Sequence, residues 1–231
     1  MSLSYQQPMQ MVRGMGAYLV DQFGATYLDT VNNVAHVGHE HPFVVKAGQD
    51  QMALLNTNTR YLHENINLLA EELLNTFPPE LCVVHLVNSG SEANELAIRM
   101  AKVVTGNKDI LASEMGYHGN TNSCIEISSY KFDGKGGNGC PEHTQIFPLP
   151  DRFRGKHRGE NTGNAYAEEV ENAISVLKKK GRAPAAFIIE PIISCGGQIE
   201  LPQGFLTKAY AHTRNAVSYT HLRAHETKAN L

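Results

Sequence analysis

Apolar residues recur at helical spacing in two stretches of the chain. Ile66, Leu69, Ala70, Leu73 and Leu74 fall on one face of a helix predicted from Glu64 to about Thr76, and Pro78-Pro79 ends it. Val170, Ala173, Ile174 and Leu177 give a second amphipathic helix over Tyr166 to Lys180. Three short runs are apolar without a helical period: Cys82 to Val87, Asp109 to Ala112, and Ala185 to Pro191. Each reads as a buried strand, the last one apolar until Glu190. Glu95 to Lys102 reads as a helix directly after the first of these runs, and Pro42 opens another that runs to about Leu55. Nearer the amino end, Gly16 to Asp21 and Ala25 to Asp29 flank a turn at Gln22-Phe23-Gly24 and predict a hairpin. Ser123 to Ser129 alternates too poorly to assign, and Lys131 to Arg158, rich in Gly, Pro and charge, reads as one long loop.

Strand and helix alternate from Cys82 onward, so the predicted class is α/β with a mostly parallel sheet covered by helices. Ligands of such sheets sit at the carboxyl ends of the strands. Gly90, Tyr117 and Glu190 each fall at such an end, and one site could collect all three.

Composition narrows the class further. The 231 residues suffice for one large domain or a domain and a half. A net charge of −3 gives no reason to expect nucleic acid or an anionic membrane surface as partner. No apolar run approaches the length of about 20 residues that spans a bilayer, and the first eight residues lack the pattern of a signal peptide. The four cysteines stand far apart without a CxxC pair, which predicts reduced thiols in a cytoplasmic protein. His36, His39 and His41 invite a metal reading, but their loop offers no helical HxxxH face, and no metal is expected.

The chemistry is concentrated in a few turns. Asn88-Ser89-Gly90-Ser91-Glu92-Ala93-Asn94 joins a predicted strand to a predicted helix. Small residues at a helix N-terminus let an anion approach unpaired backbone N–H groups, where the macrodipole favours it. Ser89 and Glu92 also match a capping box, so the turn reads equally as a well-capped junction with no ligand. Tyr117-His118-Gly119 could place an aromatic ring on a planar group or could be a turn with a half-buried tyrosine. Glu190 is either a site carboxylate or a surface residue ending its strand.

Taken in order, these pieces resemble the class III (fold-type I) pyridoxal-phosphate-dependent aminotransferases. The matching segments are the Asp21–Asp29 hairpin, Asn88 to Asn94, Tyr117-His118-Gly119 and Glu190-Pro191, and the similarity runs from about Met11 to Ala216. Within that family Asn32 to His39, Leu55 to Arg60, Ser128 to Phe132 and Ser194 to Ile199 are similar to the ethanolamine-phosphate and phosphohydroxylysine phospho-lyases. The resemblance implies pyridoxal 5'-phosphate as cofactor. Ser89, Gly90 and Ser91 would bind its phosphate, Tyr117 would stack on its ring, His118 and Gly119 would shape that wall, and Glu190 would lie beneath the ring. It also implies a small amine or amino-acid substrate, phosphorylated or not, and a homodimeric parent enzyme. The reaction would be transamination or elimination of phosphate.

Two family residues have no match here. The aspartate that faces the pyridine nitrogen and the Schiff-base lysine belong to later segments, and neither Lys208 nor Lys228 stands in a matching context. Residues 217–231 fit neither strand nor helix and read as foreign sequence. The expected organisation is therefore an N-terminal segment (1–60), a partial cofactor-binding large domain (61–216) and that tail. Such a chain would be a fragment, poorly stable and inactive alone, with a non-catalytic subunit-interaction role as the alternative.

Overall fold

The computed structural model describes residues 6–31 and 36–216. The predictions for Asn32 to Ala35 and for the tail from Val217 lie outside the described residues. The chain divides into two compact units, up to Ile66 and from Asn67 onward.

In the first unit the predicted hairpin is part of a three-stranded antiparallel meander: β1 (Met11–Met15), β2 (Tyr18–Asp21) and β3 (Thr26–Leu28). Gly16 and Ala17 belong to the turn between β1 and β2 rather than to a strand. The turn at Gln22-Phe23-Gly24 is built by Asp21, whose carboxylate accepts N–H bonds from Phe23 (2.9 Å) and Ala25 (2.8 Å) and the Tyr27 hydroxyl (3.0 Å). An aspartate that bonds backbone a few residues on is a common way to fix a tight turn. Helix α1 covers Pro42–Leu54, close to its predicted bounds, and α2, which begins in this unit and continues into the second, covers Glu64–Leu74, two residues shorter than predicted. Neither helix has a buried residue, and Ile66, Leu69 and Leu73 remain exposed.

The second unit holds the parallel sheet. Strand β4 (Asp109–Ser113) is central, with β5 (Thr144–Phe147) on one side and β6 (Pro184–Ile188) on the other, both parallel to it. All five residues of β4 are buried. Its alternation sorts them between two cores, as a pleated strand requires. Leu111 packs with Phe147 against helix α6 (Gly163–Lys179) and helix α7 (Phe205–Ala216), through Tyr166, Val170, Ile174, Leu177, Phe205 and Ala209. Ile110 and Ala112 face the other way, towards Ile98 of helix α3 (Gly90–Thr105) and towards Cys124 and Ile127. Cys124 lies in helix α4 (Asn122–Glu126), which helix α5 (Ser129–Phe132) follows. Each fully buried aliphatic side chain in these layers contributes about 1.5–3 kcal/mol.

Two predictions fail here. The apolar run Cys82 to Val87 forms no strand. Val83 is 71% exposed and Leu86 55%, because no strand among the described residues lies beside the run to complete a ladder. An apolar sequence supplies the propensity, but the partner makes the strand. Conversely, the long loop from Lys131 contains β5, and a short hairpin of β7 (Ile192–Ile193) and β8 (Ile199–Glu200) follows β6.

The amino ends of the strands are tied by one side chain. Arg182 donates through Nε to Asp109 Oδ2 (2.9 Å) and through a second guanidinium nitrogen to Oδ1. It also reaches the Glu142 carboxylate (2.9 Å) and the Glu142 carbonyl (2.8 Å). It thus joins the segments that lead into β4, β5 and β6.

Acid weakens this unit. Burial pushes the Glu169 carboxyl up, but hydrogen bonds from Lys156 and His157 outweigh burial and hold it below the usual carboxylate range. Glu95 behaves alike: burial raises it, and the hydroxyls of Ser123 and Thr121 bring it below its ordinary value. A carboxyl whose folded pKa is depressed stabilises the fold above its unfolded pKa, and that contribution is lost as pH falls through the folded value. The urea midpoint of the chain is therefore flat near neutrality and drops once pH passes below the ordinary glutamate range. Glu169→Gln removes part of that drop. A midpoint indifferent to acid over this range would contradict the assignment.

Candidate active site at the carboxyl ends of the strands

Three turns converge beyond the carboxyl ends of β4 and β6. The first is the start of α3. Ser89 is its N-cap, in extended backbone, and its hydroxyl accepts the Glu92 N–H (3.1 Å). The Glu92 carboxylate reaches back to the Asn88 N–H (2.7 Å), so the predicted capping box forms with its return bond one residue early. The N–H groups of Gly90 and Ser91 then belong to the helix's first turn, where no intrahelical acceptor exists.

The second turn follows β4. Asn120 clasps Ser91: the Ser91 hydroxyl donates to Asn120 Oδ1 (2.9 Å) and accepts the Asn120 N–H (3.1 Å). Gly119 has to be glycine for this clasp to close. Its φ is +134°, and a Cβ there would lie 2.6 Å from Ser91 Oγ. His118 is 2% exposed, and its backbone is held at both ends. Its N–H donates to Ser128 Oγ (2.9 Å), and its carbonyl accepts from the Asn94 side chain of α3 (2.6 Å).

The third turn follows β6 and carries Glu190. One carboxylate oxygen accepts the Tyr117 N–H (2.9 Å) and the other the Ser194 N–H (3.1 Å). Glu190 thus welds the turn after β4 to the turn after β6, and in doing so fixes the backbone from which the Tyr117 ring projects. The ring is half-buried, with Tyr130 edge-on to it at 6.2 Å and 77°. Nearby, burial and the Glu190 charge push the Cys195 thiol up, and the Lys131 charge partly offsets them.

All seven sequence-predicted residues lie in these turns, and hydrogen bonds link them in two groups, Ser91 with the Gly119-Asn120 turn and Tyr117 with Glu190. One expectation needs correcting. Tyr117 and Glu190 follow strands, but Gly90 follows the extended run that forms none. Asn120 and Ser128 were given no role from the sequence, although Ser128 opens the segment similar to the phospho-lyases. Asn120 lies within the Gly-Tyr-His-Gly-Asn turn, and that position was its only signal. The histidines of the amino-terminal loop serve other purposes: His39 bonds the Asp29 carboxylate at 2.7 Å. Among the described residues no three His, Cys, Asp or Glu side chains gather as a metal site.

The site can do two things chemically. A helix N-terminus with two first-turn N–H groups, a hydroxyl and a glycine opposite suits a phosphate. A half-buried tyrosine ring at a fixed backbone position suits a planar heteroaromatic group. The fit to pyridoxal 5'-phosphate, which has one of each, rests on these features.

Comparison with known proteins agrees. The family model for class-III aminotransferases matches residues 2–217. The chain is 42% identical over 214 residues to an alanine–glyoxylate aminotransferase 2-like protein of Drosophila melanogaster, covering 90% of this chain and 43% of that protein. It is 36% identical over 219 residues to ethanolamine-phosphate phospho-lyase homolog 1 of Caenorhabditis elegans, covering 90% of this chain and 47% of the relative. Among solved structures it is similar to a phospholyase from Arthrobacter in complex with phosphoethanolamine, at 36% identity and a TM-score of 0.82, covering 93% of this chain and 50% of that one. The chain thus spans about half the length of the proteins it matches, or slightly less. No helix among the described residues is long and apolar enough to cross a membrane. The chain belongs to the class-III aminotransferase family, whose cofactor is pyridoxal 5'-phosphate.

Proposed function

We propose that this chain is part of a pyridoxal-phosphate-dependent enzyme acting on a small amine or amino acid, by transamination or by elimination of phosphate, and that the three turns form its cofactor seat. The observation that carries this reading is the Ser91–Asn120 clasp against Gly119 at the N-terminus of α3. In it the backbone N–H groups of Gly90 and Ser91 take the cofactor phosphate, and the Ser91 hydroxyl joins them by turning its one proton from Asn120 Oδ1 to a phosphate oxygen while still accepting the Asn120 N–H, with Ser89 capping the helix that presents them. Tyr117 covers the ring, and His118 and Gly119 form the adjoining wall. Glu190 acts through Tyr117, holding its backbone rather than reacting. When bound, the cofactor withdraws electrons from the substrate's α-carbon. The residues described here bind and orient; the lysine that would link to the cofactor is not assigned among them.

The relatives carry both transaminase and phospho-lyase names, so both reactions remain in the proposal. With phosphoethanolamine as substrate, release of phosphate without a keto-acid acceptor identifies elimination, and strict dependence on an acceptor identifies transamination. We also place the parent enzyme in the cytoplasm as a homodimer. Support for the compartment comes from the four cysteines, none of which forms a disulfide. Support for the dimer comes from the family resemblance.

The test of the seat is a titration of the purified chain with pyridoxal 5'-phosphate, followed by tyrosine fluorescence and visible absorbance. Saturable binding is expected, with pyridoxal, which lacks the phosphate, about ten-fold weaker, as loss of charge-assisted bonds implies. Equal affinity for the two compounds would remove the phosphate from the α3 turn.

A further inference from the structure

A cleft of about 560 Å³ runs beside the carboxyl half of α3. Its α3 side is a single stripe, Glu95, Ile98, Arg99, Lys102 and Val103, at the three- and four-residue spacing that stacks side chains on one helix face. Ser123 and Glu126 of α4 and His143, just ahead of β5, line it from other segments, and Lys108, just ahead of β4, brings a third cation.

The charges of this cleft are not matched. Its two carboxylates are engaged: Glu95 accepts the hydroxyls of Thr121 (2.5 Å) and Ser123 (2.6 Å), and Glu126 bonds His143 Nε2 (3.0 Å). Arg99, Lys102 and Lys108 form no ion pair and no side-chain hydrogen bond with any described residue. A cation in the last turn of a helix offsets the macrodipole, which accounts for Lys102. It does not account for Arg99, a turn earlier, or for Lys108, beyond the Gly106 cap. Ile98 and Val103 add apolar surface between these cations, and Val103 is 77% exposed. Unmatched cations around an apolar strip suit a ligand with several negative charges and an apolar body.

We propose that this cleft binds a small organic polyphosphate, such as a nucleoside triphosphate, at a site separate from the cofactor seat. Arg99, Lys102 and Lys108 take the phosphates, and the organic part lies on Ile98 and Val103. The Arg99 guanidinium can hold two phosphate oxygens at once, while the two ammoniums act as point charges. The volume falls within the span of small-molecule sites, roughly 300–1,000 Å³. Gly90 and Lys102 stand about 18 Å apart along α3, at about 1.5 Å per residue, so one phosphate site does not merge with the other.

Two measurements test this on the full chain, with ATP free of magnesium as the probe. The first is acetylation with and without ATP, read by peptide mass spectrometry. ATP should slow labelling of Lys102 and Lys108 several-fold and leave Lys178 and Lys179, at the end of α6, unchanged. Adenosine, which lacks the charges, should protect none of the four. Equal labelling of Lys102 and Lys108 with and without ATP overturns the proposal. So does uniform slowing of all four lysines, which would mark diffuse surface charge, and so does protection by adenosine. The second is calorimetric titration of variants. Arg99→Gln combined with Lys108→Gln should weaken ATP by more than about ten-fold, whereas Lys178→Gln combined with Lys179→Gln should not. Tripolyphosphate should bind the unmodified chain several-fold more weakly than ATP. An affinity for ATP unchanged in the first double variant, or tripolyphosphate binding as tightly as ATP, overturns the assignment. Arg99 and Lys108 are exposed, so their replacement does not threaten the fold.

Discussion

Arg182→Ala is expected to destabilise the sheet-bearing unit well beyond what an exposed ion pair contributes, because it takes the counter-ion from a buried aspartate. Asp109 is 3% exposed at the start of the central strand. Its carboxylate is neutralised by a two-pronged guanidinium contact, and the same guanidinium holds Glu142 ahead of β5. Truncation leaves the aspartate charged and buried, with nothing of opposite sign against it. The loss is mainly this orphaned charge rather than the worth of the pair. Arg182→Ala combined with Asp109→Ala should therefore be less unstable than Arg182→Ala alone. Arg182→Lys should recover only part, because an ammonium cannot form the fork. Urea denaturation followed by far-ultraviolet circular dichroism gives the numbers. A loss under about 1 kcal/mol, the scale of an exposed pair, would mean that the contact is ordinary surface electrostatics. The clamp sits at the amino ends of the strands, so cofactor affinity below the unfolding transition should not change.

Gly119→Ala has the largest effect expected at the opposite end. The added Cβ meets Ser91 Oγ at 2.6 Å and Ser91 Cα at 3.0 Å, and the φ of +134° is one that side-chain-bearing residues rarely adopt. The strain costs about 1–3 kcal/mol, and relieving the overlap costs about 1–3 kcal/mol more. Neither can be relaxed without moving Ser91 away from Asn120. Cofactor affinity should fall by well over ten-fold, and more steeply than stability. Gly136→Ala provides the contrast: φ there is +83°, nothing lies within 4 Å of the added carbon, and only strain is added. If Gly119→Ala binds pyridoxal phosphate as the unmodified chain does, the clasp is not part of the seat.

What could be read from the sequence was whatever depends on neighbours close in the chain. Ser89 capping Glu92, the α6 face of Val170, Ala173, Ile174 and Leu177, and Pro42 at the head of α1 are local, and each appears as predicted. Features that need a distant partner were not legible. Thr144-Gln145-Ile146-Phe147 has only two apolar residues and becomes a strand because β4 lies beside it. Cys82 to Val87 is more apolar and has no such partner among the described residues. Likewise Glu190 could be picked out as an expensive carboxylate at a strand end. Its contact, the N–H of a residue 73 positions earlier, exists only after the sheet has closed. Lys131 falls within the Ser128 to Phe132 segment that resembles the phospho-lyases, but its position over the Tyr117 and Tyr130 rings was not legible there.

Helix α5 has a bearing on how this scaffold could diversify. Along five consecutive residues, Ser128, Ser129 and Phe132 are turned inward and fastened, while Tyr130 and Lys131 are turned outward. Structural duty is thus confined to three positions of the segment, and the other two stand exposed beside the Tyr117 ring. Exchanging the outward pair for anything but proline leaves every anchoring bond in place, the Tyr130 and Lys131 N–H groups included, so a library of such exchanges should remain folded throughout. Its members would differ in the side chains set beside the Tyr117 ring, so the surroundings of that ring could change by drift without a compensating change elsewhere.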